Sequence, residues 1–114
     1  MTTRELSTIQ EKNVAKSLGG RRTSNSGATA FTKGDVLTDD AIIECKTKMN
    51  EVKAFSIQKK WIDTLEEERK GMGKDIAAIA FSFDIGKSSY YVINEETFKR
   101  LLDYIKEERE AYDL

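Results

Sequence analysis

Apolar residues recur at three- to four-residue steps near the start of the chain, where Leu6, Ile9, Val14, Ala15 and Leu18 predict one face of a helix. Thr2 and Glu5 stand at capping-box spacing, and Gly19-Gly20 offers a left-handed stop. The run from Arg21 to Ala30 is small and polar, with two arginines, and predicts a loop or an irregular edge segment. Gly34-Asp-Val-Leu and Ala41-Ile-Ile-Glu-Cys-Lys-Thr flank the turn residues Thr38-Asp-Asp, which is a hairpin signal. Ser56 is a suitable N-cap for a helix in which Ile57, Trp61 and Leu65 share a face and which ends near Gly71. Ile76-Ala-Ala-Ile-Ala-Phe-Ser-Phe is apolar almost throughout, as expected of a strand covered on both faces. Tyr90-Tyr-Val-Ile, after a Gly-Lys-Ser turn, reads as its hairpin partner. Asn94 then caps a last helix expected to turn Phe98, Leu101, Leu102 and Ile105 inward. Helix, strands, helix, strands, helix is the order of an α/β domain, a mixed β-sheet flanked by helices, over residues 1–114.

Composition narrows the chemistry. The chain has 114 residues, 34% of them charged, with no proline, no histidine and one cysteine. That length suits one domain. A single cysteine closes no internal disulfide, and without histidine the Ser-His and Cys-His nucleophile pairs and imidazole-bound zinc are excluded. A metal would be a hard ion held by oxygen, and carboxylates and lysines would carry any catalysis. The net charge of −1 hides an asymmetry: residues 1–60 carry eleven Lys/Arg against seven Asp/Glu, and residues 61–114 carry eight against thirteen. A locally basic surface able to attract phosphates is compatible with that split, as are ordinary solvated helix faces. No apolar run is long enough to span a membrane, and Met1-Thr-Thr-Arg-Glu lacks the apolar stretch of a signal peptide, so a cytoplasmic location is expected.

Two segments carry polar residues where a core strand would not want them: Lys33-Gly34-Asp35-Val36 and Ile42-Ile43-Glu44-Cys45-Lys46. Strand alternation turns Glu44 and Lys46 to one face and Ile43 and Cys45 to the other. If the turn pairs the two strands, Asp35 lies near Glu44, and two carboxylates share one hairpin end with an ammonium. Carboxylates so close repel unless a cation separates them, and Mg²⁺ accepts one or two carboxylates while keeping positions for water and phosphate oxygens. The plain alternative is an edge strand on which Glu44 and Lys46 form a solvated cross-strand pair.

Gly34-Asp35, a gap of eight residues and then Glu44-Cys45-Lys46 resembles the signature of the PD-(D/E)XK nuclease superfamily, with glycine where the signature has proline. Glu11, Arg21-Arg22, Ser26-Gly27, Lys33-Gly34-Asp35-Val36 and Ser56-Ile-Gln-Lys59 extend the resemblance toward the Holliday junction resolvase-like nucleases of archaea and phages. It covers about residues 5–65. The resemblance implies a restriction-endonuclease-like core and a Mg²⁺-dependent DNA endonuclease, Mn²⁺ substituting, in a phage, bacterial or archaeal setting. It implies metal ligation by Asp35, Glu44 and the Cys45 backbone carbonyl, an acidic cluster completed by Glu11, and a water positioned by Lys46. Arg21, Arg22, Ser26, Lys33 and Lys59 would contact DNA, with branched DNA as substrate and a homodimer as the working form. The interface would come from the apolar residues of the last helix or of the late strands.

Other features read as structural. Cys45 suits a small buried site better than a reactive thiol, and Trp61 suits the core better than a stacking platform. Gly71-Met-Gly73 reads as a turn. Lys59-Lys60 suits phosphate contact and a solvated helix start equally, and the acidic runs Glu66-Glu-Glu and Glu107-Glu-Arg-Glu read as solvated faces. A non-catalytic module that keeps the fold to bind DNA or a protein stands as the alternative function.

Overall fold

A computed structural model of the chain describes residues 1–23, 34–48, 50–84 and 89–113. Helix α1 (Thr3–Leu18) starts where the Thr2 hydroxyl accepts from the Glu5 N–H at 3.1 Å and stops at Gly19, whose φ of 67° is left-handed. A two-residue edge strand, β1 (Arg21–Arg22), pairs antiparallel with β2 (Val36–Leu37), and β2 pairs antiparallel with β3 (Ala41–Lys46). The predicted hairpin is present with Val36 opposite Ile43 and Leu37 opposite Ile42. Its turn is closed by the Thr38 hydroxyl, which accepts from the N–H groups of Asp40 and Ala41.

Helix α2 (Lys59–Met72) carries the chain across to β4 (Ile76–Phe81), which lies parallel to β3 with Glu44 beside Ile79 and Lys46 beside Phe81. A parallel pair needs such a crossover. Ser56 is not the cap of α2. The cap position falls two residues later, at Gln58, without a side-chain cap. The approach is pinned instead by the Val52 N–H on the Phe83 carbonyl, and α2 starts where Trp61 and Leu65 reach the sheet. It also runs through Gly71 and stops at left-handed Gly73. Strand β5 (Tyr90–Val92) pairs antiparallel with β4, giving a mixed sheet in the order β1-β2-β3-β4-β5.

Alternation along β3 and β4 divides the core. Val14 and Ala15 of α1 pack with Val36, Ile43, Ala78 and Ala80 on one face, and Leu65 of α2 packs with Leu37, Ile42, Ala77 and Ile79 on the other. Fully burying each of the larger aliphatic side chains is worth roughly 1.5–3 kcal/mol. No helix among the described residues is long and apolar enough to cross a membrane.

The last helix, α3 (Glu95–Tyr112), is capped by Asn94 as predicted, its side chain accepting from the Thr97 N–H at 2.8 Å. Its apolar face does not turn inward. Phe98, Leu101, Leu102 and Ile105 are 43–56% exposed, and every residue from Phe98 to Asp113 lies open. The periodicity of the stripe was legible, but its partner was not: α1 and α2 already occupy the two faces of the narrow sheet.

Candidate functional site

Gly34 makes the site possible. Its φ is 73°, and a Cβ built there would lie 2.6 Å from Cγ1 of Ile42, a fully buried side chain. Proline, with φ fixed near −65°, cannot adopt that conformation. The turn at Gly34 hands the chain to Asp35, which is held on both sides: its N–H donates to the Ile43 carbonyl at 2.9 Å, and its carbonyl accepts from the Thr23 N–H at 3.1 Å. The Thr23 hydroxyl adds a bond to the Gly34 carbonyl at 2.8 Å. So anchored, Asp35 reaches across the hairpin, and its Oδ2 accepts from the backbone N–H of Cys45 at 2.8 Å.

That bond sets Asp35 against Glu44-Cys45-Lys46. Glu44 and Lys46 line a cleft of about 230 Å³ beside α2, closed by Lys60, Trp61, Thr64 and Glu68. Lys46 Nζ lies 3.4 Å from Glu44 Oε1 and 4.3 Å from the centroid of the Trp61 ring. Cys45 packs toward α1, as alternation requires. On α1, Glu11 is 3.3 Å from Nε of Arg22.

The three carboxylates interact. Burial, reinforced by the charge of Asp35, pushes Glu44 up to about 7, and Lys46 only partly offsets it. Asp35 is also raised, by burial, against the opposing pull of the Cys45 N–H, Lys46, a hydrogen bond with Glu44, and Arg22. Glu11 is raised by burial and then by Asp35, with Arg22 pulling the other way. Burial lifts the Cys45 thiol far above its ordinary range, and the neighbouring carboxylates add to it. The thiol is therefore inert, as its sequence context suggested.

Asp35, Glu44 and Lys46 are thus together, with Glu11 close enough to feel Asp35. Arg21 and Arg22 are exposed on the edge strand beside them. Ser26 and Lys33 lie outside the described residues. Lys59 lies exposed outside the cleft lining, its ammonium 2.6 Å from Asp63, and Lys60, one residue on, lines the cleft. Because α2 begins later than Ser56 predicts, the helix phase at this lysine pair was not readable.

Sequence reasoning passed over Gln10. Its amide donates to the carbonyls of Lys46 at 2.7 Å and Ala80 at 3.2 Å, tying the ends of β3 and β4 to α1, while its Oε1 is buried without a partner. A polar residue four positions from both Leu6 and Val14 on an apolar stripe was the available signal. Trp61 is core and cleft wall at once.

The donor set suits a hard cation. Burial raises both carboxyls, the charge of Asp35 raises Glu44 further, and the oxygen ligands present are those Mg²⁺ accepts. Among the described residues no group of three or more carboxylate or thiol side chains could hold a metal ion. Magnesium sites commonly use one or two carboxylates and fill the rest with water and phosphate oxygens, so the pair suffices. Comparison with family models, curated proteins and solved structures finds no match to this chain.

Proposed function

We propose that this domain is a Mg²⁺-dependent DNA endonuclease with a restriction-endonuclease-like core of the PD-(D/E)XK kind. It hydrolyses phosphodiester bonds, with branched DNA such as a Holliday junction as its substrate and two copies acting together. The observation that carries the reading is the bond from the Cys45 N–H to Asp35, which holds one carboxylate against Glu44 with Lys46 beside them. Asp35 and Glu44 would hold the cation, with the Cys45 carbonyl, and Glu11 would extend the acidic cluster. Mn²⁺ would occupy the same oxygens. Bound there, the cation supplies Lewis acidity toward water and toward a phosphodiester.

The chain's own groups do the rest. Lys46, held between Glu44 and the Trp61 ring, orients the attacking water and stabilises negative charge on the phosphate. Arg21, Arg22 and Lys60 neutralise backbone phosphates on either side of the cleft, and Ser26 and Lys33 belong to the same basic segment. Arg22, already paired with Glu11, couples that contact to the acidic cluster.

The test compares labelled four-way junction, flap, linear duplex and single-stranded DNA in Mg²⁺. Wild type is expected to cut the branched forms and Asp35→Asn to cut none. Mg²⁺ should raise the melting temperature of wild type, and Glu44→Ala should abolish that rise. Cleavage by Asp35→Asn at the wild-type rate overturns the assignment. Absence of both cleavage and the Mg²⁺ effect in wild type would leave a non-catalytic DNA- or protein-binding module.

A further inference from the structure

Beyond Lys46, the sheet carries a row of aromatic rings. Strand register sets Lys46, Phe81 and Tyr90 side by side on β3, β4 and β5. Alternation turns all three toward the face that α2 covers, the face of Ile42 and Ile79. Phe55, from the segment leading into α2, lies 5.0 Å from Phe81 between ring centroids, with 31° between the planes. Phe81 in turn lies 5.7 Å from Tyr90, with 27° between the planes, so the three rings form an offset stack. Phe83 meets Phe81 and Tyr90 edge-on, at 5.5 and 5.4 Å, which holds the plane of Tyr90. None of the four belongs to either buried core cluster. Tyr90 ends the stack: β5 is the last strand of the sheet, and Tyr90 is 54% exposed. Ammonium groups stand over rings at the inner end, Lys46 over Trp61 at 4.3 Å and exposed Lys48 over Phe55 at 5.6 Å.

We propose that this row is a stacking platform for unpaired DNA bases, so that the substrate of the carboxylate site carries a single-stranded arm beside the bond to be cut. A ring held rigid at the end of a stack offers a base one open π-face at little ordering cost, and cations beside it answer the phosphates. A base inside a duplex has both faces covered by its neighbours, so the platform selects unpaired bases, and it does so without regard to sequence. The occupant is nucleic acid rather than an apolar peptide because the rings are interleaved with ammonium groups and run directly into the cleft of Glu44 and Lys46. Tyr90 stands two strand spacings from Lys46, roughly 10 Å. That is about three nucleotides along a stacked strand, so the arm begins close to the reacting phosphate. The fate of the substrate rests on the nuclease reading, whereas the stacking itself needs neither metal nor cleavage.

Fluorescence anisotropy in EDTA tests it, comparing a labelled blunt duplex with the same duplex carrying a 3′ or a 5′ thymidine arm of about six nucleotides. One armed form should bind wild type about tenfold more tightly than the blunt duplex. Tyr90→Leu, which keeps apolar bulk but has no π-face, should erase most of that gain, and Tyr90→Phe and Tyr90→Trp should keep it to within about threefold. Circular dichroism of each variant reports that the domain is folded. If Tyr90→Leu does not fold, photocrosslinking of wild type to 5-iododeoxyuridine in the arm still decides, with Tyr90 as the expected attachment. No gain from either arm, a folded Tyr90→Leu that keeps the gain, a Tyr90→Phe as weak as Tyr90→Leu, or crosslinks only outside Phe55, Phe81, Phe83 and Tyr90 would each overturn the proposal. The two readings fail separately. A protein that binds the arm through Tyr90 yet cuts nothing in Mg²⁺ keeps the platform and loses the nuclease, and one that cuts DNA while Tyr90→Leu keeps the gain does the reverse.

Discussion

Removing the charge of Glu44 should stabilise the metal-free protein at alkaline pH and leave it unchanged at acid pH. In the unfolded chain this carboxyl ionises near its ordinary value of 4.5, and in the fold it holds its proton until about 7. Between those values folding is accompanied by proton uptake, so stability is fully present below pH 4.5 and falls as pH rises through 7. At about 1.4 kcal/mol per pH unit the displacement amounts to ~3 kcal/mol. The Glu44 side chain retains 28% of its exposure and its contact with Lys46, so screening and the lost ion pair reduce the net gain of Glu44→Gln to ~1–2 kcal/mol. For a domain of this size that corresponds to a melting temperature about 5–10 °C higher than wild type at pH 8.5, and within about 1 °C of it at pH 4. Thermal melts in EDTA over that range measure both. An equal difference at the two pH values would refute burial of the carboxyl as the cause.

Gly34→Ala should cost about 2–4 kcal/mol in a thermal or urea melt, because a left-handed φ and a Cβ 2.6 Å from buried Ile42 act together. It should also displace Asp35, so the Mg²⁺-induced shift falls with it. Asn94→Ala removes the cap on the Thr97 N–H and should cost about 1 kcal/mol, read as a lower urea midpoint. Cys45 should resist a thiol reagent at pH 8 in the native protein and react promptly once the chain is unfolded in urea, since burial and three carboxylates disfavour its thiolate.

Most of the architecture was readable because it depends on local pattern. The Thr2 and Asn94 caps, the Thr38-Asp-Asp turn and the two-sided strand at Ile76 each carry their signal within a few residues. The juxtaposition of Asp35 and Glu44 was equally accessible, since a short turn between alternating segments fixes the register. What failed was information held elsewhere in the fold. The start of α2 depends on where Val52 meets Phe83, some thirty residues away along the chain. Lys59 and Lys60 differ only in helix phase, which that start decides. The direction of the α3 stripe depends on which sheet faces are already taken, and no window of the helix contains that fact. Gln10 marks a different limit, because a polar residue in an apolar stripe signals a buried bond without naming its acceptors.

The bond from the Cys45 N–H to Asp35 separates the site from the identity of one of its own residues. Every amino acid except proline offers that donor, so position 45 is constrained by the space beneath α1 and by the carboxylates above it, and not by sulfur. A saturation library at Cys45 should therefore return alanine, serine, threonine and valine as working variants. Proline should be lost completely, and lysine and arginine should fail on size. At Gly34 the same library should return glycine alone. Two positions of one motif, eleven residues apart, would thus show opposite tolerance, for reasons that lie in the backbone of one and the side-chain volume of the other.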